Sequence, residues 1–131
     1  MKKDIHIPEV SGVEIAIVLE YNDIYKTDDW NVYIINNKSI DLELVVVVSK
    51  GYNDQKITST LRKKLDILPA NSFAKIEMIQ PELFKLTNEF QVSFFENNTL
   101  FDKIYTFKKG VVKEGALRII PSLNKKGVIA E

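Results

Sequence analysis

Apolar and polar residues alternate with period two along most of this chain. From Val13 to Tyr21, one face carries Val13, Ile15, Ile17, Leu19 and Tyr21, and the other Glu14, Ala16, Val18 and Glu20. That is the pattern of a half-buried β-strand. The stretch from Trp30 to Tyr52 predicts two central strands joined by a polar turn. In the first, Trp30 to Ile35, Trp30, Val32 and Ile34 share a face, with Tyr33 and Ile35 opposite. The second, Leu42 to Val48, puts Leu42, Leu44, Val46 and Val48 on one face and Val45 and Val47 on the other. Its run of β-branched side chains suits a pleated surface covered on both sides. The expected core is Trp30, Ile34, Leu44, Val46, Phe90, Val92 and Phe94.

Turn formers divide the rest. Asn22 to Asp29 reads as a polar loop. Lys56 to Leu68 fits two periods: Ile57, Ser59 and Leu61 alternate as in a strand, whereas Leu61, Leu65 and Leu68 also share a helical face. The β-branched residues Ile57, Thr58 and Thr60 favour strand. Phe73 to Ile79 predicts a further strand, with Ala74, Ile76 and Met78 inward and Lys75 and Glu77 outward. Pro81 to Leu86 reads as a corner rather than a helical turn. Glu89 to Glu96 and Leu100 to Lys108 form a hairpin about Asn97 and Asn98, residues that tolerate the positive φ of a tight turn. Ala116 to Ile120 predicts a last short strand, and Pro121 to Glu131 a tail whose apolar residues either dock on the domain's own edge as an extra strand or add to the edge of a neighbouring subunit. The total is about seven or eight short strands, which points to an all-β sandwich or barrel.

Length and composition narrow the classes. The 131 residues predict one domain with a lead-in (1–12), a core sandwich (13–108) and a C-terminal extension (109–131). Eighteen basic residues balance 18 acidic ones, which argues against nucleic acid or an anionic membrane as partner. With no cysteine, a disulfide framework, a thiolate metal site and a cysteine nucleophile are excluded. Asp4, His6, Pro8 and Glu9 stand where a signal peptide needs its apolar region. No stretch approaches the ~20 apolar residues of a membrane-spanning helix. A cytoplasmic location is therefore expected.

Candidate chemistry is sparse. His6 is the sole histidine; it sits in the lead-in, and no G-x-S-x-G nucleophile motif accompanies it. Asn22, Asp23, Asp28 and Asp29 cluster oxygen ligands on one loop, yet their spacing fits no calcium loop, and solvated turn formers are the simpler reading. The aromatics Tyr25, Trp30, Tyr33 and Tyr52 are candidates for a ligand groove. The basic stretch offers Lys50, Tyr52, Lys56, Arg62, Lys63 and Lys64, with hydroxyls at Thr58, Ser59 and Thr60, for a phosphate or carboxylate. A solvated edge strand whose lysines prevent further pairing explains the same residues. No metal site and no cofactor are expected.

The order of features resembles an immunoglobulin-like β-sandwich of the bacterial adhesion and cell-surface type. Trp30 to Asn36 supplies the aromatic-led strand ending in Asn, Leu42 to Val48 the Val-rich strand, Leu68 to Phe73 the Pro-containing loop, and Phe90 to Phe107 the closing hairpin. The strings IPEVSGVEIA, WNVYIIN, SKGY and TSTLRKKL are similar to those of a family of short bacterial proteins of unestablished function. The resemblance implies an antiparallel sandwich that serves binding. The expected function is accordingly a non-enzymatic protein-interaction or structural module, pairing with another protein or with itself as a homodimer through its tail. The alternative is a small anionic-ligand or nucleic-acid-binding domain built on residues 50–64.

Overall fold

The computed structural model describes residues 9–130; His6 and most of the lead-in lie outside them. Nine strands are present among the described residues: β1 (Val13–Asn22), β2 (Thr27–Asn36), β3 (Leu42–Tyr52), β4 (Leu61–Leu68), β5 (Ser72–Met78), β6 (Thr87–Glu96), β7 (Thr99–Phe107), β8 (Arg118–Ile120) and β9 (Lys125–Ile129). They form two antiparallel sheets, ordered β5-β2-β1-β9-β8 and β4-β3-β6-β7. Among the described residues no helix is long and apolar enough to cross a membrane, and the helical structure is limited to short 3-10 turns at Glu114–Ala116 and at Pro81–Lys85, where a plain corner was expected.

The sheets pack face to face. Val13, Ile15 and Ile17 of β1 and Trp30, Val32 and Ile34 of β2 meet Val45 and Val47 of β3, Phe90, Val92 and Phe94 of β6, and Phe101, Tyr105 and Phe107 of β7 in one buried cluster. Two of the expected core residues are absent from it. Leu44 is 51% exposed and Val46 is half-buried. The cause is a β-bulge. The register of β3 against β6 shifts between Glu43 and Val46, and Leu44 adopts φ 49°. One extra residue reverses the alternation, so Leu42, Val45 and Val47 face inward while Leu44, Val46 and Val48 face out.

The strand count exceeds the expected seven or eight because the tail is itself a hairpin. β9 pairs with β1 through Ala16↔Ile129, Ile17↔Val128 and Val18↔Gly127, and β8 pairs with β9. Gly127 makes this docking possible: a Cβ there would lie 2.7 Å from the Ile17 carbonyl oxygen. Pro121 falls in the turn, where it removes no ladder bond. That turn folds over the outer face of the five-stranded sheet. Ile120 and Leu123 bury Ala16, Val18, Tyr33 and Ile35 in a second cluster, and Ser122 Oγ donates to Asn37 Oδ1 at 2.7 Å. Ile120 and Leu123 of the tail are thus housed within their own chain, whereas Ile119 and Ile129 stay exposed.

Two further readings are revised. The loop after β1 spans only residues 23–26, because pairing runs to Asn22↔Thr27. The ambiguous stretch 56–68 is strand from Leu61 on; before it lies a loop touching the sheet through one bridge, Tyr52↔Ile57.

Candidate functional site

β5 does not keep its predicted alternation. Val32 pairs with Glu77 and Tyr33 with Lys75, which leaves Ile76 as an extra residue. This second bulge turns both Ile76 and Glu77 toward the interior and puts Met78 at 52% exposure. Glu77, expected outward, instead reaches across the sandwich, and its Oε1 accepts a hydrogen bond from Ser49 Oγ at 3.0 Å. Burial pushes the Glu77 carboxyl above its ordinary range, and the Ser49 hydrogen bond only partly opposes this. Among the described residues three ion pairs form, Lys38–Glu96, Lys50–Glu89 and Lys125–Glu20. Glu77 belongs to none of them.

The carboxylate sits in a cleft of about 230 Å³ at the mouth between the sheets, floored by Leu61, Ile79, Leu83 and Phe90 and rimmed by Ser49, Lys50, Gly51, Thr58, Ser59 and Asn88. It stays open because β4 and β5, which flank it, are edge strands of different sheets. The rim is held by main-chain contacts. Gly51 N donates to Thr58 Oγ1 and Thr58 N to the Gly51 carbonyl, both at 2.8 Å. Asn88 Nδ2 donates to the Leu83 carbonyl at 2.8 Å. A Cβ at position 51 would approach Asn88 Oδ1 to 2.9 Å, so glycine permits this packing.

The six basic-stretch candidates are divided among different surfaces. Lys50 and Tyr52 extend from β3 toward Glu89: the Tyr52 hydroxyl donates to Glu89 Oε1 at 2.8 Å, and Lys50 Nζ lies 3.9 Å from Oε2. The bond to Glu89, with lesser help from desolvation, raises the Tyr52 hydroxyl's pKa. Lys56 lies on the loop before β4. Arg62 and Lys64 pair with Val48 and Val46 on the outer face, whereas Lys63 pairs with Val47 on the inner face. Lys103 pairs with the buried Val92 at the opposite edge. The inner row therefore reads Lys63–Val47–Val92–Lys103, a lysine at each edge, an arrangement that discourages strand addition.

The oxygen-rich loop is occupied by its own fold. Asn22 Nδ2 and Thr27 Oγ1 donate to the Asp29 carboxylate, each at 2.9 Å, and these bonds hold it below its ordinary range. Asn22 Oδ1 accepts from the amides of Ile24 and Tyr25. Of the groove aromatics, Trp30 packs edge-on against Phe84 at 5.0 Å. Tyr33 donates to Glu20 Oε2 at 2.6 Å. Tyr25 stands exposed at the hairpin tip, and Tyr52 lies on the other sheet. They line no common groove.

The outer faces of the two sheets differ. The five-stranded sheet is lidded by the β8–β9 turn. The four-stranded sheet presents Val46, Val48 and Phe95, half-buried, with Leu100 and Ile104 more than half exposed and Leu44 beside them. One row of this face reads Lys64–Val46–Ser93–Asp102 from edge to edge.

Comparison with known protein families, characterised proteins and solved structures finds no match.

Proposed function

We propose that this chain is a non-enzymatic interaction module of immunoglobulin-like topology that self-associates through the outer face of its four-stranded sheet. Supporting the topology, β1, β2 and β5 share one sheet and β4, β3, β6 and β7 the other, the division of a seven-stranded sandwich in which the fourth strand joins the third, with β8–β9 as an addition. The contrast between the outer faces carries the functional reading. One apolar face is covered by the chain's own tail; the other presents apolar side chains with no such cover, set around Asp102 and its donors Gln91 and Ser93, the mark of an interaction surface.

Charge points to a second copy as the occupant. The row Lys64–Val46–Ser93–Asp102 is basic at one end and acidic at the other. Rotation by a half-turn about an axis along the strands sets each Lys64 against the Asp102 of the other copy, an isologous contact. The edge lysines Lys63 and Lys103 favour face packing over strand addition. A cytoplasmic setting belongs to the same proposal and suits a chain without cysteine.

Sedimentation equilibrium tests this. Wild type is expected to dimerise, Lys64→Asp or Asp102→Lys alone to weaken the dimer, and the paired swap to restore it. A wild-type chain that stays monomeric at high micromolar concentration overturns the proposal.

A further inference from the structure

We propose that the Glu77 cleft receives a single basic side chain, a lysine-type ammonium or arginine-type guanidinium, carried by an extended segment of another protein. The site lies at the sandwich mouth, apart from the sheet face discussed above, so each stands or falls alone.

Charge at Glu77 is out of balance. A carboxylate removed from water needs a counter-charge or a full set of donors. Glu77 has one neutral donor, Ser49, and no ion pair among the described residues. Lys50 at the cleft rim is directed to Glu89 instead, 3.9 Å from its Oε2, and neither it nor Lys63 on the inner face of β4 makes an ion pair with Glu77. The residue is also placed there by a bulge, a device that re-aims side chains beside binding sites. Ordinary alternation would have put this glutamate in solvent.

The cleft's shape selects the ligand. Leu61, Ile79, Leu83 and Phe90 form an apolar floor suited to a methylene stem, while the carboxylate takes the cationic head. Asn88 Oδ1, which accepts no hydrogen bond among the described residues, offers a second acceptor at the rim. At about 230 Å³ the cleft is smaller than the roughly 300–1,000 Å³ of sites for drug-sized molecules. It fits one side chain rather than a free metabolite. The unpaired edge of β5 gives the segment bearing that side chain a main chain to lie against.

The experiment is a titration of isotope-labelled protein followed by amide shifts at residues 49–51, 58–61 and 77–79. Probes are the acetylated methylamides of lysine, arginine and the neutral isostere norleucine, together with spermidine and alanine-flanked peptides of about five residues with a central lysine or arginine, long enough to pair along one strand. Saturable local shifts are expected with the basic probes, with the peptides binding roughly tenfold more tightly than the isolated amides. Glu77→Gln should weaken binding by at least about tenfold; it removes a partly buried charge and is expected to stay folded, which its near-UV circular dichroism checks. Equal binding of norleucine, or no loss in Glu77→Gln, overturns the charge role and leaves Glu77 as an edge guard. Spermidine binding as tightly as the peptides overturns the protein-borne source. Absence of local shifts with every probe overturns the site.

Discussion

The hydroxyl of Tyr105 donates a 2.5 Å hydrogen bond to the main-chain carbonyl of Val13, 92 residues away in the chain. It joins β7 of one sheet to the first residue of β1 in the other, inside the core. Burial, reinforced by the charge of Glu14, pushes this hydroxyl well above the usual tyrosine range, so it remains a donor at any ordinary pH. Tyr105→Phe keeps the ring and leaves the Val13 carbonyl without this donor. It is expected to lower stability by about 1–2 kcal/mol, read from the urea midpoint. An unchanged midpoint would show that the contact contributes nothing net.

The bulge at Leu44 makes a prediction about neighbours. Val47 is 1% exposed and belongs to the core, so Val47→Ala should cost on the order of 2 kcal/mol. Val46→Ala, on the outer face, should cost less than half as much. Leu44→Gly removes the strain of a left-handed leucine, roughly 1–2 kcal/mol, and gives back part of it as chain entropy. A net gain of up to about 1 kcal/mol is expected. Equal losses at Val46 and Val47 would contradict the register.

Gly127→Ala probes the docking of the tail. The added methyl meets the Ile17 carbonyl at 2.7 Å, with Ile120 Cδ1 at 2.9 Å, so β9 must move away from β1. Overpacking of this kind costs about 1–3 kcal/mol. Amides of Ala16, Ile17 and Val18 should lose hydrogen-exchange protection before those of β6. Retained protection at those three positions would mean that β9 tolerates the methyl in place.

Two glutamates respond to pH in opposite senses. Burial pushes Glu20 upward, but the bonds from Tyr33, Lys125 and Asn31 outweigh it, and the folded carboxyl lies below its ordinary 4.5. Its stabilising contribution is therefore present above pH 4.5 and lost as pH falls through the lower, folded value. Glu77 lies above 4.5 when folded, with burial the largest cause. Its contribution is present below pH 4.5 and lost as pH rises through the folded value. Relative to wild type, Glu20→Gln should be less stable at pH 7, with the gap closing in acid. Glu77→Gln should be more stable at pH 7, with its advantage also fading in acid. Thermal melts from pH 3 to 7 check both signs; like-signed differences at pH 7 would refute the assignment of one carboxylate.

Where alternation runs unbroken, side-chain period alone predicts the strand and its buried face. Val13, Ile15 and Ile17, Trp30 to Ile35 and the Phe90–Phe107 hairpin all follow it. Departures come at the bulges, where one added residue reverses the faces and little local marks the spot. Leu44 gives no hint, since leucine rarely takes positive φ. Glu77 carried a faint one: Met78 and Ile79 are adjacent apolar residues, and such a pair breaks period two. The basic stretch was visible as composition, but strand pairing decides that Lys63 points in while Arg62 and Lys64 point out. The tail's docking as an extra strand was one of two alternatives open from its apolar residues, but its register was hidden because Lys125–Ile129 mixes charge, glycine and two apolar residues over a span too short to show a period.

The partnership of β1 with β9 has a consequence for synthesis. Strands β1 to β7 leave the ribosome before the hairpin that lids their sheet. During that interval β1 presents an open edge, and Ala16, Val18, Tyr33 and Ile35 face water without cover. An unpaired apolar edge is a site of mispairing between nascent chains. Arrival of the β8–β9 hairpin closes both the edge and the face in a single step, so this hairpin guards a strand made well before it.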